Sequence, residues 1–331
     1  MTNAPTEDST RESPQSASTP DDDPPGGPLP GDALLAEIEG VALDLARLGG
    51  AEIMSAFQRE ISVEYKTEAR GDAAPTDPVS EVDRAVEQLL RERLSERFPE
   101  HGIVGEEVDD QPAPDQEFLW VVDPVDGTSN FVNGFPLFAC SIGVLHRGRP
   151  VVGAVWCSTN HELRPGVYHA RRGGPLRFEQ GPVTPERPGG DVSRRLAAAP
   201  AGAPGRTATW DNRVTGSAAI ECTFVAAGIF NSASFWAVRL WDVAAGATLL
   251  RAAGREVLVR GRGGWAPLQR FEAPDTVPRA AREEQREPTL RDWRQPLLVG
   301  EPEAVQHLRG RIRGPSRWRR LRFRLRRWFG R

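Results

Sequence analysis

Two aspartates on either side of a proline, Asp123 and Asp126, are the residues whose type and spacing most clearly indicate chemistry. An apolar run, 118–122, leads into them, and Gly127 and Thr128 follow where a helix can begin. Because proline fixes the backbone, both carboxylates are held on a turn, where they repel each other unless a cation lies between them. Free backbone N–H groups at Gly127 and Thr128 suit a phosphate. This segment therefore predicts a site for a metal ion and a phosphate group.

Two further acids extend this set. Glu106 follows a short apolar run, and Asp242 lies in the first turn of a predicted helix of small residues. With the two aspartates of the turn they form an all-oxygen set typical of Mg²⁺, and no His or Cys stands at a transition-metal spacing. Each acid alone could be a helix cap or a solvated surface group, so the prediction rests on their occurring together.

Three segments resemble the signature motifs of the inositol monophosphatase family. They are GEE at 105–107, WVVDPVDGTSNF at 120–131 and WDVAAG at 241–246. The resemblance runs from about Leu34 to Arg311 and implies a Mg²⁺-dependent, usually Li⁺-sensitive, phosphoric monoester hydrolase. It implies a small phosphomonoester as substrate, of the sugar or polyol phosphate type, and a homodimer is compatible with it.

The resemblance implies metal-binding roles for five positions. One Mg²⁺ would be bound by Glu106, Asp123 and the backbone carbonyl of Val125. A second would be bound by Asp123, Asp126 and Asp242. The nucleophile would be a metal-activated water, and no covalent phospho-enzyme is implied.

The resemblance also implies catalytic and substrate-binding residues. Glu106 and Thr128 would orient the attacking water, and Asp83 would accept a hydrogen bond from Thr128. The phosphate would lie over Gly127 and Thr128, and Ala218 would form a wall of the substrate pocket. For Asp83 the alternative interpretation is a solvated acid in the first turn of a helix.

Two departures from the family pattern affect the side of the site that binds the alcohol. Phe235 stands seven residues before Asp242, where inositol phosphatases usually carry a glutamate, and the turn at 172–179 also differs. A buried aromatic ring cannot replace a carboxylate that accepts two hydrogen bonds from hydroxyl groups. A phosphomonoester other than inositol phosphate is therefore kept as an alternative substrate. Lys66, the only lysine, matches a position near the family's active-site flap, and a chance surface lysine explains it equally well.

Alternating helix and strand patterns predict a layered α/β sandwich, and the resemblance implies the αβαβα order of sugar phosphatases. Helices are predicted at 32–58 with Asp32 as N-cap, 79–98, 216–229, 243–253 and 302–311. Strands are predicted at 118–122, 139–145, 150–156, 235–240 and 295–299. A loop is predicted at 67–78 and a linker rich in proline and charge at 272–294. The catalytic domain is assigned to 33–312, with a metal-site half at about 33–200 and a second α/β half at 201–312.

Composition predicts a cytoplasmic globular protein. The 331 residues, 39% of them hydrophobic, can bury one large core or two coupled ones. Cys140, Cys157 and Cys222 lack CxxC spacing, which fits small buried side chains in a reducing compartment. No apolar run reaches the ~20 residues that a membrane span needs, and no signal-peptide pattern opens the chain.

The two ends of the chain differ in charge. Residues 1–32 carry seven acids and one arginine, a charge of −6, and are predicted to be disordered. Residues 309–331 carry eleven arginines and no acid, with tryptophan and leucine side chains near one helical face. This C-terminal tail, assigned to 313–331, favours peripheral contact with an anionic membrane over nucleic acid, and a tail paired with the protein's own acids is a third option. The alternative function is therefore a catalytically weak family member that acts as a regulatory or binding protein through this tail.

Overall fold

The computed structural model describes residues 27–57, 59, 62–65, 78–109, 116–184, 192, 194–200, 203, 207 and 209–311. Its helices are α1 (Asp32–Ala56), α2 (Glu81–Arg97), α3 (Thr128–Val132), α4 (Ala218–Ala226), α5 (Leu240–Ala252), α6 (Arg279–Glu283) and α7 (Pro302–Arg309), with one 3-10 turn at Leu290–Asp292. Its strands are β1 (Val63–Tyr65), β2 (Pro78–Ser80), β3 (Gly102–Gly105), β4 (Phe118–Asp126), β5 (Ala139–His146), β6 (Arg149–Cys157), β7 (Gly166–Arg171), β8 (Arg177–Phe178), β9 (Gly181–Pro182), β10 (Arg195–Ala198), β11 (Trp210–Arg213), β12 (Ser232–Arg239), β13 (Glu256–Gly261), β14 (Gly264–Pro267) and β15 (Arg294–Gly300).

The larger sheet has seven strands in the order β3-β4-β5-β6-β7-β8-β9, and only β3 and β4 pair in parallel. Strand β4 is buried at every position because both faces of the sheet are covered, which explains its continuous apolar sequence. Its alternate residues face opposite sides. Trp120 and Val122 pack with the apolar faces of α1 and α2, whereas Leu119 and Val121 pack with α4 and α5.

The smaller sheet has six strands in the order β11-β10-β12-β15-β13-β14. Helices α4 and α5 contact both sheets, and α7 packs on β15 from the outer side. The layers are therefore helix, sheet, helix, sheet, helix, and the predicted αβαβα sandwich is confirmed. A separate two-stranded ribbon pairs β1 with β2.

Small residues let α5 lie close to both its neighbours. A Cβ atom at Gly143 of β5 would lie 2.7 Å from the backbone nitrogen of Ala245, and one at Gly246 would lie 2.6 Å from Cys222 Cβ. The WDVAAG motif therefore serves packing as well as chemistry, since only glycine and alanine permit this approach. The three cysteines are buried and unbridged.

Several element boundaries differ from the predicted ones for identifiable reasons. Gly31 occupies the N-cap of α1, and Asp32, the first helical residue, instead pairs with Arg171 at 2.8 Å. Helix α5 begins at Leu240, before the predicted start at 243, because the Asp242 carboxylate accepts a hydrogen bond from the Arg239 backbone at 2.8 Å. The linker prediction for 272–294 was wrong in part, because this segment contains α6 and the 3-10 turn.

The predictions for most of the N-terminal tail (1–26), for Lys66, for most of the loop (66–77) and for the C-terminal tail (313–331) fall outside the described residues. The domain boundaries and the division into two halves stay predictions. Among the helices described, none is both long and apolar enough to cross a membrane.

Candidate active site

One cavity of about 710 Å³ collects nearly all the predicted site residues. It opens where β4 ends, between α3, α4, β12 and the start of α5. Its lining includes Glu106, Asp123, Val125, Asp126, Gly127, Thr128, Ala218 and Asp242. The remaining predicted residue, Asp83, lies behind Thr128 on α2.

The turn after β4 gives the site its shape. The pairing of β4 with β5 is irregular between Asp123 and Asp126, as expected where proline interrupts a strand. Gly127 follows with φ of 90°, and a Cβ atom there would lie 3.1 Å from the carbonyl oxygen of Leu137. This left-handed, crowded position requires glycine, and it turns the chain so that α3 begins at Thr128.

The predicted contact between Thr128 and Asp83 is present. Thr128 Oγ1 lies 2.9 Å from Asp83 Oδ1 and 3.0 Å from the carbonyl oxygen of Val125. Asp83 Oδ2 accepts from the backbone N–H of Ser80 at 2.9 Å and from the Ser80 hydroxyl. Asp83 is only 1% exposed, and burial raises its pKa against these hydrogen bonds. It is therefore not the solvated helix acid of the alternative interpretation.

The acids of the cavity concentrate negative charge in a buried place. Asp123 is 1% exposed, and among the residues described its Oδ1 has no hydrogen-bond partner. Burial, followed by the charges of Glu106, Asp126 and Asp242, raises the pKa of Asp123 well above its ordinary value. Burial raises the pKa of Asp126 to about 6, and burial with the charge of Asp126 raises that of Asp242 to about 8. An unpartnered oxygen among repelling carboxylates is the environment that a divalent cation relieves.

The present side-chain orientations do not yet form a coordination sphere. Asp126 Oδ2 accepts from the hydroxyl of Ser217 and the backbone N–H of Ala219, both at 2.6 Å. The Asp242 carboxylate is engaged with the backbone of Arg239. Within the described part of the chain, no three His, Cys, Asp or Glu side chains are arranged to hold a metal ion as they stand. The donors thus fit a cation by chemistry, and ligation requires the carboxylates to turn.

Glu87 supports the strand end that carries Glu106, a role the sequence analysis missed. Its buried carboxylate accepts from the backbone N–H groups of Glu107 at 2.7 Å and Val108 at 3.1 Å, and Arg91 pairs with it at 2.8 Å. Glu87 lies one helical turn after Asp83 on the same face of α2, and this spacing is the signal that could have revealed it.

Arg291 holds the same segment from the other side. Its guanidinium donates to the carbonyl oxygens of Glu106 and Val108, each at 3.0 Å, and to that of Gly105. It also lies 5.2 Å from the ring centroid of Trp241 in the first turn of α5. Arg291 therefore joins the segment of Glu106 to the helix of Asp242. Nothing in the sequence distinguishes it from the many other arginines of the chain.

Part of the cavity lining is apolar and aromatic. Phe235 is 7% exposed, and both it and the partly exposed Trp236 line the cavity, as does Tyr65. The position where the family usually carries a glutamate thus contributes a hydrocarbon surface.

Glu221 of α4 is an acid at this cavity that the sequence analysis did not select. It accepts hydrogen bonds from the Thr215 hydroxyl at 2.9 Å and from the Thr215 backbone N–H at 3.1 Å. Burial raises the pKa of Glu221 to about 7. The sequence offered no signal for it because it lies on a helix whose residues are buried nearly all round.

Comparison with known proteins agrees with this site. The profile of the inositol monophosphatase family matches residues 34–289, a span that contains Glu106, the turn after β4 and Asp242. The chain belongs to the inositol monophosphatase family. It is therefore a phosphatase, and this family is generally metal-dependent.

Individual relatives are similar over most of the catalytic region. A fructose-1,6-bisphosphatase/inositol-1-monophosphatase of Aquifex aeolicus is 29% identical over 229 residues, 63% of this chain and 81% of that protein. The Nus factor SuhB of Escherichia coli K12 is 31% identical over 65% of this chain and 82% of its own length. The solved structure of a Thermotoga maritima IMPase superposes with a TM-score of 0.61 at 21% identity, over 83% of this chain and 98% of that chain, which shows the shared fold.

Proposed function

We propose that the protein is a Mg²⁺-dependent phosphomonoesterase that hydrolyses a small sugar or polyol phosphate. The observation that carries this proposal is the buried oxygen of Asp123, which lacks a partner among the described residues and lies amid the charges of Glu106, Asp126 and Asp242. These four side chains and the carbonyl of Val125 are the groups that would hold Mg²⁺. The relative named fructose-1,6-bisphosphatase/inositol-1-monophosphatase supports a phosphorylated sugar or polyol as substrate.

Bound Mg²⁺ would supply Lewis-acid activation of water and neutralise charge on the phosphate. The chain's own residues would position that water. Thr128 can donate its only hydroxyl proton to Asp83 at 2.9 Å, which leaves its oxygen lone pairs able to accept from the water. Glu106 would accept a proton from the water, with its backbone held by Arg291. Gly127, which lacks a side chain, leaves room for the phosphate.

The alcohol part of the substrate would pack against Phe235 and Trp236. Hydroxyl groups directed at this surface would lose hydrogen bonds to water without replacement, which costs roughly 1–3 kcal/mol each. We therefore expect inositol phosphates, with hydroxyl groups around the ring, to be poorer substrates than sugar or polyol phosphates that present fewer hydroxyl groups to this surface.

The proposal is tested with a panel of phosphomonoesters assayed in Mg²⁺ and in EDTA. We expect hydrolysis that EDTA abolishes, inhibition by millimolar lithium, and loss of both Mg²⁺ binding and turnover in Asp126→Asn. Asp44→Asn, a matched change at an exposed acid of α1, should retain the wild-type rate. Wild-type turnover by Asp126→Asn, or full activity in EDTA, would refute the metal site. Inositol 1-phosphate as the best substrate of the panel would refute the role given to Phe235.

A second candidate function is a regulatory one. Its support is the relative named Nus factor SuhB together with the eleven arginines of residues 309–331. In this candidate a cytoplasmic protein would contact an anionic membrane through residues 313–331, with each basic residue contributing on the order of 1 kcal/mol. Deletion of 314–331 should abolish co-sedimentation with anionic vesicles and preserve phosphatase activity. Tight RNA binding without vesicle binding would assign the tail to nucleic acid.

A further inference from the structure

A second cavity, of about 690 Å³, lies at the opposite end of α5 from Asp242. It is bounded by the end of α5, the hairpin of β13 and β14, and the turn after β7. Its lining contains five arginines and one acid, Glu256: the arginines are Arg171, Arg172, Arg251, Arg255 and Arg309. This cavity shares no lining residue with the one that contains the carboxylates.

Two of these arginines are neutralised by acids of neighbouring elements. Arg171 pairs with Asp32 and Glu39, each at 2.8 Å, and Arg255 lies 3.4 Å from Glu301. Among the described residues, neither Arg251 nor Arg309 of the lining pairs with an acid, so their positive charge exceeds the charge of Glu256.

Arg251 is the central basic group of this cavity. It donates to the backbone carbonyl of Leu268 and, among the described residues, forms no ion pair with an acid. Burial, followed by the charge of Arg172, lowers the pKa of Arg251 to about 10. The Arg251 guanidinium is thus held in a partly desolvated place without an acid partner among the described residues, and an anion bound beside it would offset that cost.

Neutral donors of the lining also lack partners. The hydroxyl of Thr248, on α5 one turn before Arg251, is buried at 2% exposure and makes no hydrogen bond within the described chain. The indole N–H of Trp265 on β14, a half-buried residue, also makes no hydrogen bond within the described chain. A buried donor without a partner costs free energy, so a cavity that keeps two of them beside guanidinium groups is suited to an acceptor-rich ligand.

We propose that this cavity is a binding site for a small oxyanion with two or more phosphoryl groups, separate from the catalytic site. Guanidinium groups bind such anions through paired hydrogen bonds, and the hydroxyl and indole groups supply further donors. The cavity is larger than a single phosphate requires, which favours a polyphosphate or a bisphosphate ester.

The test is isothermal titration of full-length protein with pyrophosphate in EDTA, where the carboxylates of the catalytic cavity repel anions. We expect one site whose affinity falls at least tenfold in Arg251→Gln. Gln269→Glu, an isosteric change at an exposed residue of the cavity rim, should weaken binding without any effect on folding. Arg93→Gln, an exposed arginine of α2, should bind like the wild type. Asp126→Asn should also retain binding, which separates this site from the catalytic proposal.

Three results would overturn the proposal. The first is the absence of binding to the wild-type protein. The second is binding that neither Arg251→Gln nor Gln269→Glu weakens, since the anion would then lie elsewhere, as on the arginine-rich tail. The third is citrate binding as tightly as pyrophosphate, which would show that phosphoryl groups are not preferred.

Discussion

The two ends of helix α5 carry opposite charges in buried surroundings. At its start, Asp242 lines a cavity with four further acids, and at its last turn Arg251 lines a cavity with four further arginines. The two residues are nine positions apart, roughly 14 Å along the helix at 1.5 Å per residue. Both cavities keep a buried polar atom without a partner among the described residues, an acceptor on Asp123 and a donor on Thr248.

The two charges complement the dipole of the helix at both ends. An acid at the first turn and a base at the last turn are each stabilised by the helix, yet burial and like charges shift their pKa values in the costly direction. The two ends also differ in support. Arg291 and Glu87 fix the backbone of the segment that carries Glu106, whereas at the other end Arg251 is joined to the chain through the carbonyl of Leu268. A rigid acidic end suits catalysis, which needs fixed geometry, and a less supported basic end suits binding alone.

The largest expected effect comes from Asp123→Asn at the acidic end. Turnover should fall roughly 10³-fold or more, because several kcal/mol of metal-derived charge stabilisation are lost. In EDTA the same variant should unfold at a higher temperature than the wild type. Burial raises the pKa of Asp123 above 3.8, so its contribution to stability is present below that pH and is lost as pH rises through the raised pKa.

The gain in stability should therefore be larger at pH 8 than at pH 4 when melting temperatures are compared. Asp275→Asn, at an exposed acid, should change neither the melting temperature nor the rate. A metal-free Asp123→Asn protein that melts below the wild type at pH 8 would contradict the view that the carboxylates of this end repel one another when no cation is bound.

An intermediate effect is expected from Arg291→Met, which tests whether rigidity distinguishes the acidic end. The change leaves the carbonyls of Glu106 and Val108 without a buried donor, which should cost about 2 kcal/mol of unfolding free energy. The rate should fall about tenfold and the Mg²⁺ concentration for half-maximal activity should rise, because Glu106 loses its fixed position. Steady-state kinetics measures the rate and its Mg²⁺ dependence, and denaturant unfolding measures the free energy of unfolding. The Arg282→Met variant, at an exposed arginine of α6, is the control. An unchanged Mg²⁺ dependence would limit Arg291 to a structural role.

The smallest effect is expected from Thr248→Val at the basic end. Valine has nearly the shape of threonine and removes a buried hydroxyl that has no partner, so the ligand-free protein should gain on the order of 1 kcal/mol. Denaturant unfolding in phosphate-free buffer measures this gain. Thr223→Val on α4 is the matched comparison, because the Thr223 hydroxyl donates to the carbonyl of Ala219 at 2.7 Å and its removal should destabilise. Equal losses in both variants would mean that Thr248 is already satisfied.

Much of the fold could be predicted from local sequence. The apolar spacing of α1 and α2 and the continuous apolar run of β4 follow from burial on one helical face and on both faces of a strand. The five-residue helix α6 could not be predicted, because a segment of that length has too few residues for a periodic pattern. The predicted start of α5, at 243, lies three residues after the observed start at Leu240. The sequence did not show that the Asp242 carboxylate caps this helix, because the same residue was assigned as a metal ligand.

The sequence by itself determined the chemistry of the acidic end, because Asp123 and Asp126 are joined by three peptide bonds and a proline that holds them together in any fold. It also determined that Asp83 and Thr128 belong to one site, through the motifs that contain them. Only the tertiary structure decided the roles of Glu87 and Arg291, since each acts on a segment distant along the chain. It alone brought Arg172 beside Arg251, because charges far apart in sequence meet only when packing of the two sheets on α5 brings them together.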